Sequence, residues 1–212
     1  MNYRGRVETR VAGMLLSAGD GTRLGQPKAT VELGGITLAE RGVRLLVGGG
    51  AGPVLLVTGA VPVEIPGTVA VYNPDWASGM GSSLAAGLRA LAVPGASAAA
   101  EVTAVVIALA DQPLIGAEAV RRLIAAHADG AAVAVAAYGG KPRNPVLIAR
   151  EHWAAVLDLA VGDTGARPFL RAHPDLVTLV ECGDVGRPDD IDTPADLARV
   201  RSELPPSRES AS

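Results

Sequence analysis

Met14-Leu15-Leu16-Ser17-Ala18-Gly19-Asp20-Gly21-Thr22-Arg23-Leu24-Gly25-Gln26-Pro27-Lys28 is the stretch on which the fold of this chain turns. The apolar run Val11–Ser17 suits a strand, and it breaks directly into a loop with three glycines and two cations, Arg23 and Lys28. Glycines let backbone N–H groups come close to a ligand, and fixed cations face its charge, which together is what a polyphosphate requires. Two better-known glycine loops do not fit. A P-loop sets its lysine directly after the second glycine, whereas here Gly25 is followed by Gln26-Pro27-Lys28. A dinucleotide fingerprint runs Gly-x-Gly-x-x-Gly into a helix, but Leu24 stands where the third glycine belongs and Pro27 interrupts the helix.

The rest of the chain bounds the classes open to it. At 212 residues it can bury a sizeable core, which a 3 % aromatic content makes one of small aliphatic side chains. A net charge of −3 offers no electrostatic footprint for nucleic acid or an anionic membrane. The lone Cys182 gives neither a disulfide framework nor a cysteine metal cluster, and His127, His152 and His173 lack zinc-ligand spacing. No apolar stretch reaches membrane-span length and no signal-like apolar region follows the N-terminal residues, so a soluble, cytoplasmic protein is expected.

Strand-like apolar runs alternate with amphipathic ones, which predicts an α/β layered fold on a mostly parallel sheet. Strands are expected at 53–58, 68–72, 103–110, 131–137, 145–149 and 176–181. Thr37-Leu38-Ala39-Glu40 fits a capping box and starts a helix that ends in Gly48-Gly49-Gly50. Further helices are expected from Ser82 or Ser83 to Leu91, at 116–128, 151–159 and 165–173, and from Thr193-Pro194 onward. A flexible stretch is expected at 93–100. One domain covers 1–204, followed by a disordered tail at 205–212.

Asp111 follows the most apolar strand, and in open α/β sheets ligands gather outside the carboxyl ends of strands. The glycine loop leaves another strand at that same edge. A carboxylate facing a phosphate loop repels the ligand unless a divalent cation lies between them; otherwise Asp111 merely caps a turn. Asp189-Asp190-Ile191-Asp192-Thr193-Pro194 holds more acids than a helix start requires, so one of them could be a second metal ligand. Gly79-Met80-Gly81-Ser82-Ser83 offers donors at a helix N-terminus for a base edge or ribose, or simply caps the helix. Trp76 reads as packing. Two late loops with cations, Gly139–Pro145 and Gly162–Arg167, could line an anionic acceptor's pocket or be solvated turns.

Taken together, these motifs resemble the MobA-like nucleotidyltransferases, and within them the molybdenum cofactor cytidylyltransferase (MocA-like) branch. The resemblance rests on the Leu16–Lys28 signature, Gly-Met-Gly-Ser-Ser-Leu at 79–84, Asp-Gln-Pro at 111–113, Gly-Asp-x-Gly-Ala-Arg at 162–167 and Asp-Ile-Asp-Thr-Pro at 190–194. It implies a three-layer, Rossmann-like nucleotide-diphospho-sugar transferase fold. It implies Arg23, Lys28 and Asp111 as catalytic residues, the first two on the triphosphate. Asp111 and Asp192 would hold magnesium, with manganese as a substitute. Leu16, Ser17, Ala18, Gly19 and Gly21 would border the nucleotide, with Thr58, Gly59, Asn73, Ser82 and Ser83 near base and ribose, and Asn144, Asp163 and Arg167 on the acceptor side. Ser17 departs from the signature's first alanine, and Arg143 stands where relatives often carry glycine. Guanylyl-transferring relatives show a Gly-Pro-Leu-type segment in place of 79–83, so CTP is expected over GTP, with a molybdopterin-type acceptor and docking to a molybdoenzyme. The alternatives are guanylyl transfer, another phosphorylated acceptor, and a non-catalytic carrier of the cofactor.

Overall fold

The computed structural model describes residues 10–93 and 102–203. The flexible stretch expected at 93–100, apart from Val93, and the tail expected at 205–212 lie outside the described residues.

The chain opens with β1 (Arg10–Leu16), a small antiparallel hairpin of β2 (Glu32–Leu33) and β3 (Ile36–Thr37), and α1 (Leu38–Gly48). β4 (Val54–Thr58), β5 (Thr68–Tyr72) and α2 (Met80–Ala92) follow, then β6 (Val102–Leu109) and α3 (Ala117–Ala128). The second half comprises β7 (Val133–Tyr138), β8 (Lys141–Ala149), α4 (Trp153–Leu159), α5 (Arg167–Ala172), β9 (Val177–Glu181) and α6 (Pro194–Glu203). Seven strands form one sheet in the order β5-β4-β1-β6-β8-β7-β9, in which β8 alone runs antiparallel to its neighbours.

The central strands read as near-continuous apolar runs because both their faces are covered. Leu15, Leu56 and Val106 point to the side of α1 and α3, whereas Met14, Leu55 and Ile107 point to the side of α2, α4 and α5. This gives the three layers expected from the sequence. Among the described residues no helix is long and apolar enough to cross a membrane.

A third, smaller cluster matters most for function. Leu24 and Val31 from the segment after β1 pack with Leu33, Leu38, Ile191, Leu197 and Val200. It pins the end of the glycine loop against the residues just before α6, although more than 160 positions separate them in sequence.

The start of α1 confirms the reading of its sequence. Thr37 Oγ1 accepts from the Glu40 N–H at 3.1 Å, and Glu40 Oε2 accepts from the Thr37 N–H at 2.7 Å. Thr37→Ala is expected to cost about 1 kcal/mol in denaturant unfolding without changing ligand affinity, because neither Thr37 nor Glu40 lines the cleft at the sheet's ligand edge. The start of α2 corrects it: Gly79, not Ser82 or Ser83, is the N-cap, and both serines lie inside the first turn. Their hydroxyls turn back instead, accepting from Asn73 Nδ2 at 2.8 and 3.0 Å.

Candidate active site

Sheet order sets the two decisive segments side by side. β1 and β6 are parallel neighbours with Leu16 opposite Leu109, and the Ala110 N–H donates to Leu16 O at 3.1 Å. The glycine loop and Asp111 therefore leave the same edge of the sheet on adjacent strands. The loop folds on itself, with the Leu24 and Gly25 N–H groups donating to Gly21 O at 2.8 and 2.9 Å. A single 3-10 turn (Lys28–Thr30) ends it, anchored by fully buried Ala29 and Val31.

Asp192 arrives from the far end of the chain. The Ile191 N–H donates to Asp111 O at 2.9 Å, and the Ile191 side chain is buried in the small third cluster. Gln112 Nε2 donates to Asp190 Oδ1 at 2.9 Å, a second tie between the two acidic segments.

Four charged groups result in one chain of contacts. Lys28 Nζ donates to Asp111 Oδ2 at 2.7 Å and to Asp192 Oδ1 at 2.5 Å, while Arg23 pairs with Asp192 Oδ2 at 3.1 Å. Burial opposes the charge on Lys28, but the pull of Asp111 and Asp192 outweighs it and holds the ammonium above its ordinary value. The hydrogen bond from Lys28 keeps the Asp192 carboxyl below its ordinary 3.8. Desolvation pushes Asp190 the other way, upward, despite the hydrogen bond from Gln112.

Because Asp192 is lowered on folding, its contribution to stability is complete above pH 3.8 and is lost as pH falls from there through its folded-state value. Acid titration of thermal stability is expected to show this loss in the wild type and a smaller one in Asp192→Asn. Equal slopes below pH 3.8 would remove the ion pair from the account.

The contacts line one side of an open cleft of about 740 Å³. Leu16, Ser17, Ala18, Gly19, Gly21, Arg23, Lys28, Ser83, Asp111, Asp163, Arg167 and Asp192 all face it. The opposite wall is the segment from Trp76 to Met80, where Asp163 Oδ1 accepts from the Met80 N–H at 3.3 Å. Thr58, Gly59, Asn73 and Ser82 lie behind that wall. Asn73 orients the start of α2, and Gly59 backs onto Trp76 so closely that a Cβ there would lie 2.4 Å from the Trp76 Cβ. Asn144, on β8, is not among the lining residues. Residues not assigned to the site from the sequence also face the cleft, among them Asp20, Thr22, Trp76 and Asp190. Trp76, read as packing, lines the cleft as well as backing Gly59, and Asp190 belongs to the acidic run in which a second metal ligand was expected.

Two oxygens in the cleft lack partners. Ser17 Oγ and Asp111 Oδ1 are buried and make no hydrogen bond among the described residues. Such groups are costly to leave unpaired, and at a binding site a ligand is what satisfies them.

The comparisons with known proteins agree with this geometry. The chain is 36% identical over 204 residues to the nicotine blue oxidoreductase of Paenarthrobacter nicotinovorans, covering 90% of this chain and 96% of that one. It is 27% identical over 203 residues to the purine catabolism protein PucB of Bacillus subtilis, covering 89% and 95%. Among solved structures, the Mycobacterium sp. strain JC1 homologue of Mycobacterium tuberculosis Rv0371c superposes with a TM-score of 0.78 at 29% identity, covering 92% and 96%. Residues 13–177 match the MobA-like NTP transferase domain. That match spans both the glycine loop and Asp111, the features that β1 and β6 bring together, and the chain belongs to the MobA-like NTP transferase family as a nucleotidyltransferase.

Proposed function

We propose that the protein is a divalent-cation-dependent cytidylyltransferase, moving CMP from CTP to the terminal phosphate of a molybdopterin-type acceptor with release of pyrophosphate. The observation that carries this reading is the Lys28–Asp111 contact beside a glycine loop, which puts a cation and a carboxylate in one cleft at the ligand edge of the sheet.

The residues fit a hard divalent cation. Asp111 presents an unpartnered oxygen, and Asp192 stands on the same ammonium. Among the described residues no three His, Cys, Asp or Glu side chains are grouped to hold a metal unaided. That donor set suits magnesium or manganese, which are held by one or two carboxylates together with substrate phosphates and water. When bound, such a cation neutralises phosphate charge as a Lewis acid.

The chain's own groups account for the rest. Arg23 and Lys28 receive the triphosphate, while Ser17 Oγ and the wall from Trp76 to Met80 face the nucleoside. Asp163 and Arg167 lie at the acceptor side, where Arg167 makes no ion pair among the described residues. In the reaction an acceptor phosphate oxygen forms a bond to the α-phosphorus in line as the bond to the pyrophosphate oxygen breaks. No covalent enzyme intermediate is required, and positioning with charge neutralisation supplies the catalysis.

Calorimetry with CTP, GTP, ATP and UTP in the presence of magnesium, followed by pyrophosphate release with molybdopterin, tests the reading. CTP preference and acceptor-dependent pyrophosphate support it. GTP preference transfers the chain to guanylyl transfer. Pyrophosphate released only with another phosphorylated compound replaces the acceptor, and binding of the cofactor without any pyrophosphate makes the protein a carrier.

The 36% identity to an oxidoreductase favours one second reading, in which the cleft holds a nucleotide hydride donor and the reaction is reduction of a pigment. Oxidation of NADH or NADPH by the protein and a dye, with no pyrophosphate from any triphosphate, would establish it over transfer.

A further inference from the structure

We propose that the Lys28 ammonium is the resident counter-ion of Asp111 and Asp192, and that nucleotide phosphates draw it away, so that tight divalent-cation binding waits on nucleotide binding. The proposal rests on the transferase reading of the cleft for the identity of the nucleotide, but not for the position of Lys28.

A single nitrogen touches both carboxylates, Asp111 Oδ2 at 2.7 Å and Asp192 Oδ1 at 2.5 Å. A magnesium-sized cation takes carboxylate oxygens at about 2.0–2.1 Å. A cation bridging the two carboxylates through these facing oxygens needs the space that the ammonium fills, and two positive centres cannot share it at such separations. Without nucleotide, cation entry must break two charge-assisted hydrogen bonds and push Lys28 out with nothing to receive it.

The backbone at Lys28 is built to stay while the side chain moves. The Thr30 N–H donates to Pro27 O and the Val31 N–H to Lys28 O, with Ala29 and Val31 fully buried beneath. The ammonium itself rides on a flexible four-carbon stem, with its side chain 20 % exposed at the cleft. Arg23 cannot play this part. Its side chain is 72% exposed, and of the two carboxylates it pairs only with Asp192.

A triphosphate in the glycine loop changes the balance. Its oxygens offer Lys28 new partners of the same kind, and the two released carboxylates then face the cation with no counter-ion between them. Thermodynamic reciprocity makes the coupling run both ways: whatever factor nucleotide adds to cation affinity, the cation adds to nucleotide affinity.

The test is manganese binding by electron paramagnetic resonance in the absence of any nucleotide. Lys28→Met is expected to bind manganese at least about tenfold more tightly than the wild type, a gain in line with removing one charge from a partly buried pair. Lys28→Arg is expected to restore weak binding, and Arg23→Met to change it by less than about threefold, since its charge is largely screened by solvent. Adding Asp111→Asn to Lys28→Met is expected to abolish the gain. The proposal is overturned if Lys28→Met binds manganese no better than the wild type, or if the gain survives loss of Asp111. Should Lys28→Met not fold, the wild type decides. Its Lys28 ¹⁵Nζ resonance must shift when CTP is added without metal, and a resonance that stays put overturns the proposal. Pyrophosphate release reports separately on the transferase reading: activity without the manganese gain sinks the counter-ion alone, and the gain without activity sinks transfer alone.

Discussion

Asp111→Ala is expected to slow acceptor-dependent pyrophosphate release by about 10²–10³-fold, the usual cost of removing one preorganised electrostatic contact to a transition state. The fold should survive. The bonds that position residue 111 run through its backbone, whose carbonyl accepts from the Ile191 N–H, and alanine keeps them. The side chain's own partner is Lys28, in a pair whose members are each 20% exposed. A part-exposed pair is worth about 0–1 kcal/mol, so the thermal midpoint should stay within about 3 °C of the wild type. The chemistry has no such reserve. Two anions must approach one another, and Asp111 stands against Lys28 at the end of the loop that receives the nucleotide's charge. Activity above about a tenth of the wild type, in a variant that unfolds normally, would take the carboxylate out of catalysis.

The same residue shows how differently two kinds of information are written into the chain. That Asp111 and the glycine loop share an edge was legible, because each follows a long apolar run and parallel strands send their carboxyl ends to one side. That Lys28 stands between Asp111 and Asp192 was not. It depends on the small cluster of Leu24, Val31, Leu38, Ile191 and Leu197, whose members are ordinary apolar residues far apart in sequence. The β2–β3 hairpin escaped notice for a local reason. Its strands are two residues each, too short for alternation to register, although Gly34-Gly35 at φ 64° and 78° form the kind of turn that closes hairpins.

The start of α2 was misplaced by a preference that usually holds. Serines are favoured caps, but Gly79 at φ 111° turns the chain three residues before Ser82, and Ser82 and Ser83 are recruited by Asn73. The resemblance likewise named residues expected near base and ribose without their depth. Thr58 and Asn73 are nearly inaccessible, and their effect on a ligand must pass through the wall they support.

Gly21→Ala is expected to weaken CTP binding by about 100-fold or more, a loss of roughly 3 kcal/mol that follows from backbone geometry alone. Gly21 sits at φ 64°, and a Cβ built on it would lie 2.0 Å from Gln26 O, 3.0 Å from Gln26 C and 3.2 Å from Lys28 N. The obstacle is backbone, so no side-chain rotation relieves it. Either residue 21 leaves its conformation and releases the bonds that Leu24 and Gly25 make to its carbonyl, or the Gln26–Lys28 segment moves away. Both outcomes reach the site, the first by unfolding the turn that presents the loop, the second by carrying Lys28 from Asp111. Gly25→Ala separates this from the generic cost of a left-handed residue. Gly25 is also at positive φ, 81°, but its Cβ would meet nothing within 4 Å. Gly25→Ala should therefore lose about 1 kcal/mol of stability and keep CTP affinity within about threefold. If the two variants bind CTP equally poorly, backbone conformation and not the contact with Gln26 governs the loop. If Gly21→Ala binds as the wild type does, the triphosphate does not use this loop, because no arrangement of the remaining backbone keeps both the turn and Lys28 where they are.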